Sequence, residues 1–263
     1  MGMDVRMQAS NAGSDTMSPG KVHGSSALAG APALIELPLD RPRGAIAPWV
    51  DAHLSIGIDA ALQSAIASFA SRSGTSAAQV SLAAWVLLLH RISAQDDLVL
   101  AVPSGERLLP LRVELDPGIS FAGLVGQVVA AQRQIAEAAS ADAPQVVFGP
   151  RWGGAAELAL VVAGQDLPTD ATLHYASSLL EPGTARRFLG YWRQLLSNAL
   201  RDPEMTIARV PMIDADERRA LLERWNDTRT DYDLDVCLHT LIEAQGRRTP
   251  HAPAVVAGDA PLD

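Results

Sequence analysis

The chain has 263 residues, of which 48% are hydrophobic and 19% are charged, enough for one domain with appendages or for two small domains. Its formal net charge of −9 and the lack of any Lys/Arg cluster argue against a nucleic-acid-binding surface. No apolar run is long enough for a membrane helix, and the single cysteine, Cys237, excludes an internal disulfide and favours a reducing, cytoplasmic location.

The first segment, residues 1–30, is rich in Ser, Gly and Ala without any periodicity, which predicts a disordered N-terminal tail. Residues 36–43 carry two prolines and predict an extended surface arm. A helix should then begin at Asp59 and end at Ser73-Gly74. Ser76 and Gln79 form a capping-box pattern for a second helix, which is apolar almost all round and should therefore be buried.

The following segments alternate between strand and helix patterns. The apolar run 97–102 predicts a central strand covered on both faces, and residues 109–115 alternate as a strand with one buried face. Further strands are predicted at 145–148, 157–163 and 172–176. Helices are predicted to begin at Ser120 and at Pro182. This order indicates an α/β domain with a mixed sheet, residues 31–203.

The remaining residues, 204–263, resemble a connector followed by the first elements of something larger. Asp214 and Glu217 form another capping pattern, for the helix that ends near Trp225. A helix is predicted at 238–248 and a strand at 254–256.

The candidate catalytic and ligand-binding residues do not form a recognisable chemical motif. His90 and His174 have no Cys, Asp or second His at metal-ligand spacing, so metal binding is not expected. Cys237 and His239 are two residues apart at a helix entry and should point in different directions, which disfavours a nucleophile–base pair. The Gly-Gly segment 152–157 has no Lys and favours a hairpin turn over a phosphate cradle. We therefore assign no catalytic, cofactor-binding or metal-binding residues.

A family resemblance is carried by residues 221–256, LLERWNDTRTDYDLDVCLHTLIEAQGRRTPHAPAVV. They resemble the junction in nonribosomal peptide synthetases between a condensation domain and an adenylation domain. The resemblance implies a helical condensation–adenylation linker at 204–237 and the beginning of an adenylation domain at 238–263. It places six residues at the interdomain interface: Trp225, Asn226, Thr228, Tyr232, Leu238 and His239.

Upstream segments resemble the C-terminal half of a condensation domain. The matching residues include Leu82–Ala84, Leu87–Leu89, Arg91, Gln95–Asp97 and Arg107. The family fold pairs two chloramphenicol-acetyltransferase-like lobes, so the resemblance implies a single lobe of this kind, a mixed sheet with helices, followed by the helical linker. The family's His-His-x-x-x-Asp-Gly motif has no match, and Arg107 runs directly into LLPLR without the usual insert.

These departures predict a truncated condensation domain without amide-forming activity, acting as a structural platform for the adenylation domain in cis. Two alternatives stay open: a docking module for an upstream carrier protein or synthetase subunit, and an acyltransferase completed by a partner chain. No cofactor is expected in this segment, whereas the parent synthetase would use ATP/Mg²⁺ and phosphopantetheine. Neither nucleic acid nor membrane is an expected partner. The abrupt end at Asp263 suggests a slice of a longer polypeptide, and Met1 with its tail-like leader suggests a genuine start.

Overall fold

The computed structural model describes most of the chain, in two compact units, Met1–Asp214 and Ala215–Asp263. The described residues are 28–44, 51–105, 107–135, 144–164, 167–231 and 236–253, with the backbone of Val255–Ala257 and Ala260–Leu262. Most of the predicted N-terminal tail therefore lies outside the described residues, as do Tyr232 and Ala254.

The first unit contains a six-stranded mixed sheet, which confirms the predicted α/β class. Its strands are β1 Asp51–Gly57, β2 Asp97–Ser104, β3 Arg107–Glu114, β4 Val146–Gly149, β5 Leu158–Ala163 and β6 Asp170–Ala176. The strand order is β1-β6-β5-β4-β2-β3. The β2–β4 and β4–β5 pairs are parallel, and the other three pairs are antiparallel.

Four long helices begin at the positions that the capping patterns predict. They are α1 Ala60–Ser73, α2 Ala77–Ser93, α3 Phe121–Gln134 and α4 Pro182–Arg201. The side chains of Asp59, Ser76 and Ser120 each accept a backbone hydrogen bond at a helix N-terminus. Gly74 ends α1 in a left-handed conformation, φ 62°, which favours glycine. None of the described helices is both long and apolar enough to cross a membrane.

All four helices pack with one face of the sheet around a single apolar core, which includes alternate residues of every strand. Helix α2 lies at its centre and is buried on nearly all sides, as its composition predicts. Trp85 of α2 and Trp192 of α4 have no exposed surface. The Trp192 indole Nε1 donates to the backbone oxygen of Ser81 at 3.2 Å, so the polar end of this large side chain is satisfied inside the core.

The second face of the sheet is polar near β1 and β6 and apolar near β2 and β4. On β1 and β6, Ser55 Oγ lies 2.8 Å from Thr172 Oγ1. Near β2 and β4, a small apolar cluster is formed by Ala101, Val147, Ala156 and Ala159, with Trp152 and Leu108 packed against it. Among the described residues of the first unit, no continuous helix layer covers this face as α1 to α4 cover the first one.

Two features of the sheet differ from the sequence interpretation. Strand β1 was not predicted, because His53, Ser55 and Gly57 dilute its apolar signal; antiparallel pairing with β6 stabilises it. The predicted hairpin turn at 152–157 is wrong, because β4 and β5 are parallel and the segment between them must return across the sheet. Trp152 and Ala156 in that segment cover the small apolar cluster.

The arm before β1 was predicted to be a surface segment over 36–43. In the structure it is partly buried, because Ile35 and Leu37 pack into the core. The Gln145 side chain accepts from the Ile35 backbone nitrogen at 2.7 Å and donates to its oxygen at 2.8 Å. Arg43 donates two hydrogen bonds to the Glu157 carboxylate, at 2.7 and 3.0 Å. These bonds raise the pKa of the Arg43 guanidinium, against the opposing effect of its partial burial.

The arm also completes the N-terminus of α4, whose N-cap residue, Glu181, makes no side-chain capping hydrogen bond. Instead, the Asp40 carboxylate accepts from the Glu181 backbone nitrogen at 2.7 Å and from Thr184 Oγ1 at 2.9 Å. Asp40 therefore performs the capping role from a distant part of the chain, which explains an acidic residue in the arm.

Replacing Glu157 by Ala should lower the free energy of unfolding of the first unit by about 2 kcal/mol, because Arg43 and Gln145 both lose an acceptor. Denaturant unfolding followed by circular dichroism measures this change. Glu36→Ala is the matched control, since Glu36 is 3.9 Å from the same guanidinium with a 70% exposed side chain; it should change stability by less than about 0.5 kcal/mol. Equal effects of the two substitutions would contradict the assigned anchor.

Residues after Pro203 still belong to the first unit, which continues to Asp214. Ile207 and Val210 have no exposed surface, and Ile207 N donates to Ile119 O at 2.8 Å. The segment predicted as an extended connector is therefore packed on the α/β core.

The second unit begins with α5 Ala215–Arg219, continues as a π-helical turn over Ala220–Arg224, and contains α6 Leu238–Arg248. The predicted bounds of α6 are confirmed. Strands β7 Val255–Ala257 and β8 Ala260–Leu262 pair antiparallel, close to the predicted strand at 254–256.

Candidate functional site

The predicted interface residues of the second unit are solvent-exposed wherever the structure describes them: Trp225, Asn226, Thr228, Leu238 and His239. Tyr232 lies outside the described residues. The Asn226 side-chain amide donates to the backbone oxygen of Leu221 at 2.8 Å, which closes the end of the helical segment. Asn226 thus has a local structural role, whereas the Trp225 side chain is 71% exposed.

Most of the exposed large hydrophobic side chains in the described part of the chain belong to this unit. Leu238, Leu241 and Ile242 recur at helical spacing on α6, and Leu238 is 73% exposed. We define the exposed apolar set as Leu221, Leu222, Trp225, Leu238, Leu241 and Ile242. Outside it, Leu167 is the one other large hydrophobic residue found exposed among the described residues.

The upstream residues that match the family pattern make structural contacts. Arg91, in the last turn of α2, donates through Nη1 to three backbone oxygens at 3.1–3.2 Å, those of Ile207, Ala208 and Val210. The Gln95 side chain accepts from Glu36 N at 2.7 Å and donates to Leu34 O at 3.2 Å. Arg91 therefore fixes the segment after α4, and Gln95 fixes the arm.

Asp96 and Asp97, adjacent acidic residues between α2 and β2, engage different partners. Asp97 accepts two hydrogen bonds from Arg112 of the neighbouring strand, at 3.0 and 2.8 Å. Asp96 lies 3.3 Å from His90 Nδ1, which is also 3.0 Å from Gln95 O. These contacts stabilise the turn between α2 and β2 and give both carboxylates a structural role.

A cleft of about 430 Å³ lies beside the β2–β3 turn, with Arg107, Arg151 and Trp152 among its lining residues. Gly154 passes so close to the Trp152 ring that a Cβ there would lie 2.9 Å from a ring carbon. The cleft can offer guanidinium groups and an aromatic surface to a ligand. Among its described lining residues there is no Ser, Cys, His or carboxylate to act as nucleophile or base.

The sheet also brings together residues that the sequence interpretation kept apart. His174 of β6 lies directly opposite His53 of β1, and its Nδ1 is 3.3 Å from Asp51 Oδ2. Asp51 and His174 are 123 positions apart, so no local spacing rule could have paired them. Only the β1–β6 register makes them neighbours. Cys237, by contrast, is exposed at the N-cap of α6, in the second unit.

Comparisons with known proteins place these features in a family. Residues 8–148 match the family model described as Condensation domain. Malpibaldin synthetase from Mortierella alpina is 29% identical over 88% of this chain, although the chain spans only 5% of that protein's length.

Two solved structures share the fold. Holo-AB3403, a four-domain nonribosomal peptide synthetase bound to AMP and glycine, superimposes with a TM-score of 0.74 at 17% identity; the match covers 89% of this chain and 23% of that one. The X-domain from teicoplanin biosynthesis, solved in complex with OxyB, gives a TM-score of 0.60 at 23% identity, over 71% of this chain and 53% of that one. The mixed sheet with its helices is thus the fold of these proteins, and the chain belongs to the condensation-domain family.

Proposed function

We propose that this chain is the C-terminal lobe of a truncated condensation-type domain, joined by a linker to the beginning of an adenylation domain. We further propose that it forms no amide bonds by itself and acts as a structural platform for that adenylation domain. The observation that carries the proposal is the exposed apolar set of the second unit, which coincides with the sequence pattern of a condensation–adenylation junction.

So many exposed hydrophobic side chains indicate that another domain covers this surface in the complete assembly. Burying a Leu or Trp side chain is favourable by about 1.5–3 kcal/mol or more, and clustered exposed apolar residues mark interaction sites. Trp225 is the strongest candidate anchor, because aromatic residues dominate interface energetics and it is 71% exposed. An adenylation domain that follows in the same polypeptide is the partner that the junction pattern specifies.

The family-matching residues in the first unit support a structural role for the lobe. Arg91 and Gln95 have their hydrogen-bonding groups engaged by the backbone of the segment after α4 and of the arm. These bonds stabilise the lobe, and they assign both residues a structural role and not a catalytic one. A lobe held in this way is a suitable rigid support for a neighbouring domain.

The proposed inactivity has two grounds. The sequence contains no pair of adjacent histidines, so the family's His-His motif is absent from this chain. General acid–base catalysis increases a reaction rate by about 10²- to 10⁴-fold, and the positioning of two substrates increases it by at least as much. The chain also spans about half of the X-domain chain, which is consistent with one lobe of a two-lobed fold. ATP, Mg²⁺ and phosphopantetheine would then serve other domains of the synthetase.

Replacing Trp225 and Leu238 by Ala in the complete synthetase should lower the thermal stability of the adenylation domain and its soluble yield, because the substitutions remove two anchors of the proposed interface. Differential scanning calorimetry and the yield of soluble protein measure the effect. Leu167→Ala, which truncates a 46% exposed side chain in the first unit, is the matched control and should change neither quantity. Unchanged adenylation-domain stability in the double variant would refute the platform role.

The inactivity is tested by incubating the purified chain with two carrier-bound aminoacyl substrates and measuring dipeptide formation by mass spectrometry. The rate should equal that without the chain. Product formed by the chain alone would overturn the proposal, and product formed only after addition of an upstream subunit would favour an acyltransferase completed by a partner.

A docking module is the second candidate, favoured by the second face of the sheet. No continuous helix layer covers that face in the described part of the first unit, and the similar X-domain was solved in complex with OxyB. Crosslinking of the synthetase with an upstream carrier protein or subunit tests this function. Crosslinks to β1 and β6 would support docking, whereas crosslinks confined to the second unit would support the platform role alone.

A further inference from the structure

We propose that Asp51, His53 and His174 form a binding site for a divalent transition-metal ion, best matched by Zn²⁺, on the second face of the sheet. The site joins the edge strand β1 to β6. It is independent of the proposed platform function, and the residues all lie in the first unit.

The β1–β6 register creates the cluster. His53 and His174 are directly opposite in an antiparallel pair, and their ring centroids are 5.4 Å apart. Asp51 is two residues before His53, so its side chain lies on the same face of the sheet. One potential ligand atom from each of the three side chains falls within 4.8 Å of the other two.

One oxygen of the Asp51 carboxylate lacks a hydrogen-bond partner among the described residues. Asp51 Oδ2 lies 3.3 Å from His174 Nδ1, but Asp51 Oδ1 is shielded from solvent and has no hydrogen-bond partner among the described residues. A buried carboxylate oxygen without a partner costs about 1–3 kcal/mol or more. A cation bound by both oxygens of the carboxylate would satisfy Oδ1, which the Asp51–His174 contact does not.

The donor set selects the class of metal. Two imidazoles and one carboxylate suit Zn²⁺ and its first-row neighbours, whereas Mg²⁺ and Ca²⁺ prefer oxygen ligands alone. Three protein ligands leave a fourth position for water, and the three side chains are only half-buried. Ligand atoms around tetrahedral zinc are about 3.4 Å apart, so the side chains need to rotate and approach one another by up to about 1.4 Å to reach this geometry.

The test titrates the purified chain, free of any histidine tag, with Zn²⁺ in competition with a chromophoric chelator, and with Co²⁺ for its visible absorption bands. We expect one metal ion per chain at this site. His53→Gln and His174→Gln should each weaken binding at least about 100-fold, and Asp51→Asn at least about 10-fold. Zn²⁺ at 100 times its Kd should raise the Tm of the first unit by about 5 °C in the unsubstituted chain, and by much less at the same Zn²⁺ concentration in the His53→Gln and His174→Gln variants.

His251→Gln is the matched control, because it removes an exposed histidine from the second unit; zinc affinity should be unchanged. Circular dichroism verifies that each variant is folded, and if His174→Gln does not fold, His53→Gln decides the result. Absence of binding at millimolar Zn²⁺ would overturn the proposal. Unchanged affinity in the folded His53 variant would overturn it as well, by placing the metal elsewhere on the chain.

Discussion

Replacing Trp192 by Ala is expected to lower the free energy of unfolding of the first unit by about 4 kcal/mol. The Trp192 side chain has no exposed surface and is part of the core between the helices. Its removal leaves a large cavity, and it deprives Ser81 O of the indole Nε1 donor at 3.2 Å. A loss of this size is a large fraction of the stability of a typical domain.

Denaturant unfolding followed by far-ultraviolet circular dichroism measures the change without depending on tryptophan fluorescence. The matched control is Trp225→Ala, which removes the same side chain from a 71% exposed position in the second unit. In the isolated chain it should change stability by less than about 0.5 kcal/mol. Similar losses from the two substitutions would mean that α4 does not anchor the core in the way described.

Local chemistry explains why the helices could be predicted from sequence. Asp59, Ser76 and Ser120 indicate where helices begin, because each is an N-cap residue. The structure shows that each side chain accepts a hydrogen bond from a backbone nitrogen of the first turn. Strand β2 was recognisable as a continuous apolar run, and β3 was recognisable because its apolar residues alternate on one buried face. Signals of this kind depend only on residues a few positions apart.

The features that were missed depend on contacts between distant segments. The direction of β5 relative to β4 cannot be read from the turn between them, and β1 is stable because β6 pairs with it. The same pairing brings His174 to His53, which no sequence spacing indicates. Ile207 looked like part of a connector, whereas it is buried and its backbone nitrogen donates to the oxygen of Ile119, far away in the sequence.

The candidate interface was accessible to sequence reasoning because it is carried by one contiguous segment. Trp225, Leu238 and their neighbours resemble a family pattern within one short stretch of sequence, and the structure shows that both side chains are exposed. Exposure alone does not identify the covering partner, so the platform role rests on the junction pattern together with this exposure.

Arg91→Met is expected to lower the free energy of unfolding of the first unit by about 2–3 kcal/mol, because charge-assisted hydrogen bonds to three backbone oxygens are lost. The effect should begin locally. Without the guanidinium, the segment that contains Ile207 and Val210 loses its anchor, and the Ile207 amide that donates to Ile119 O should exchange faster with solvent. Hydrogen exchange read by mass spectrometry resolves this segment from the rest of the sheet.

The matched control is Arg72→Met. Arg72 occupies the last turn of α1, as Arg91 occupies the last turn of α2, so both substitutions remove a favourable charge at a helix C-terminus. Arg72 is exposed, and its replacement should cost less than about 0.5 kcal/mol. The difference between the two variants therefore measures the contacts of Arg91 with the backbone after α4. If both variants lose the same small amount, Arg91 acts only through the helix charge, and the segment from Thr206 to Val210 is held by its apolar side chains and by its backbone hydrogen bond to Ile119.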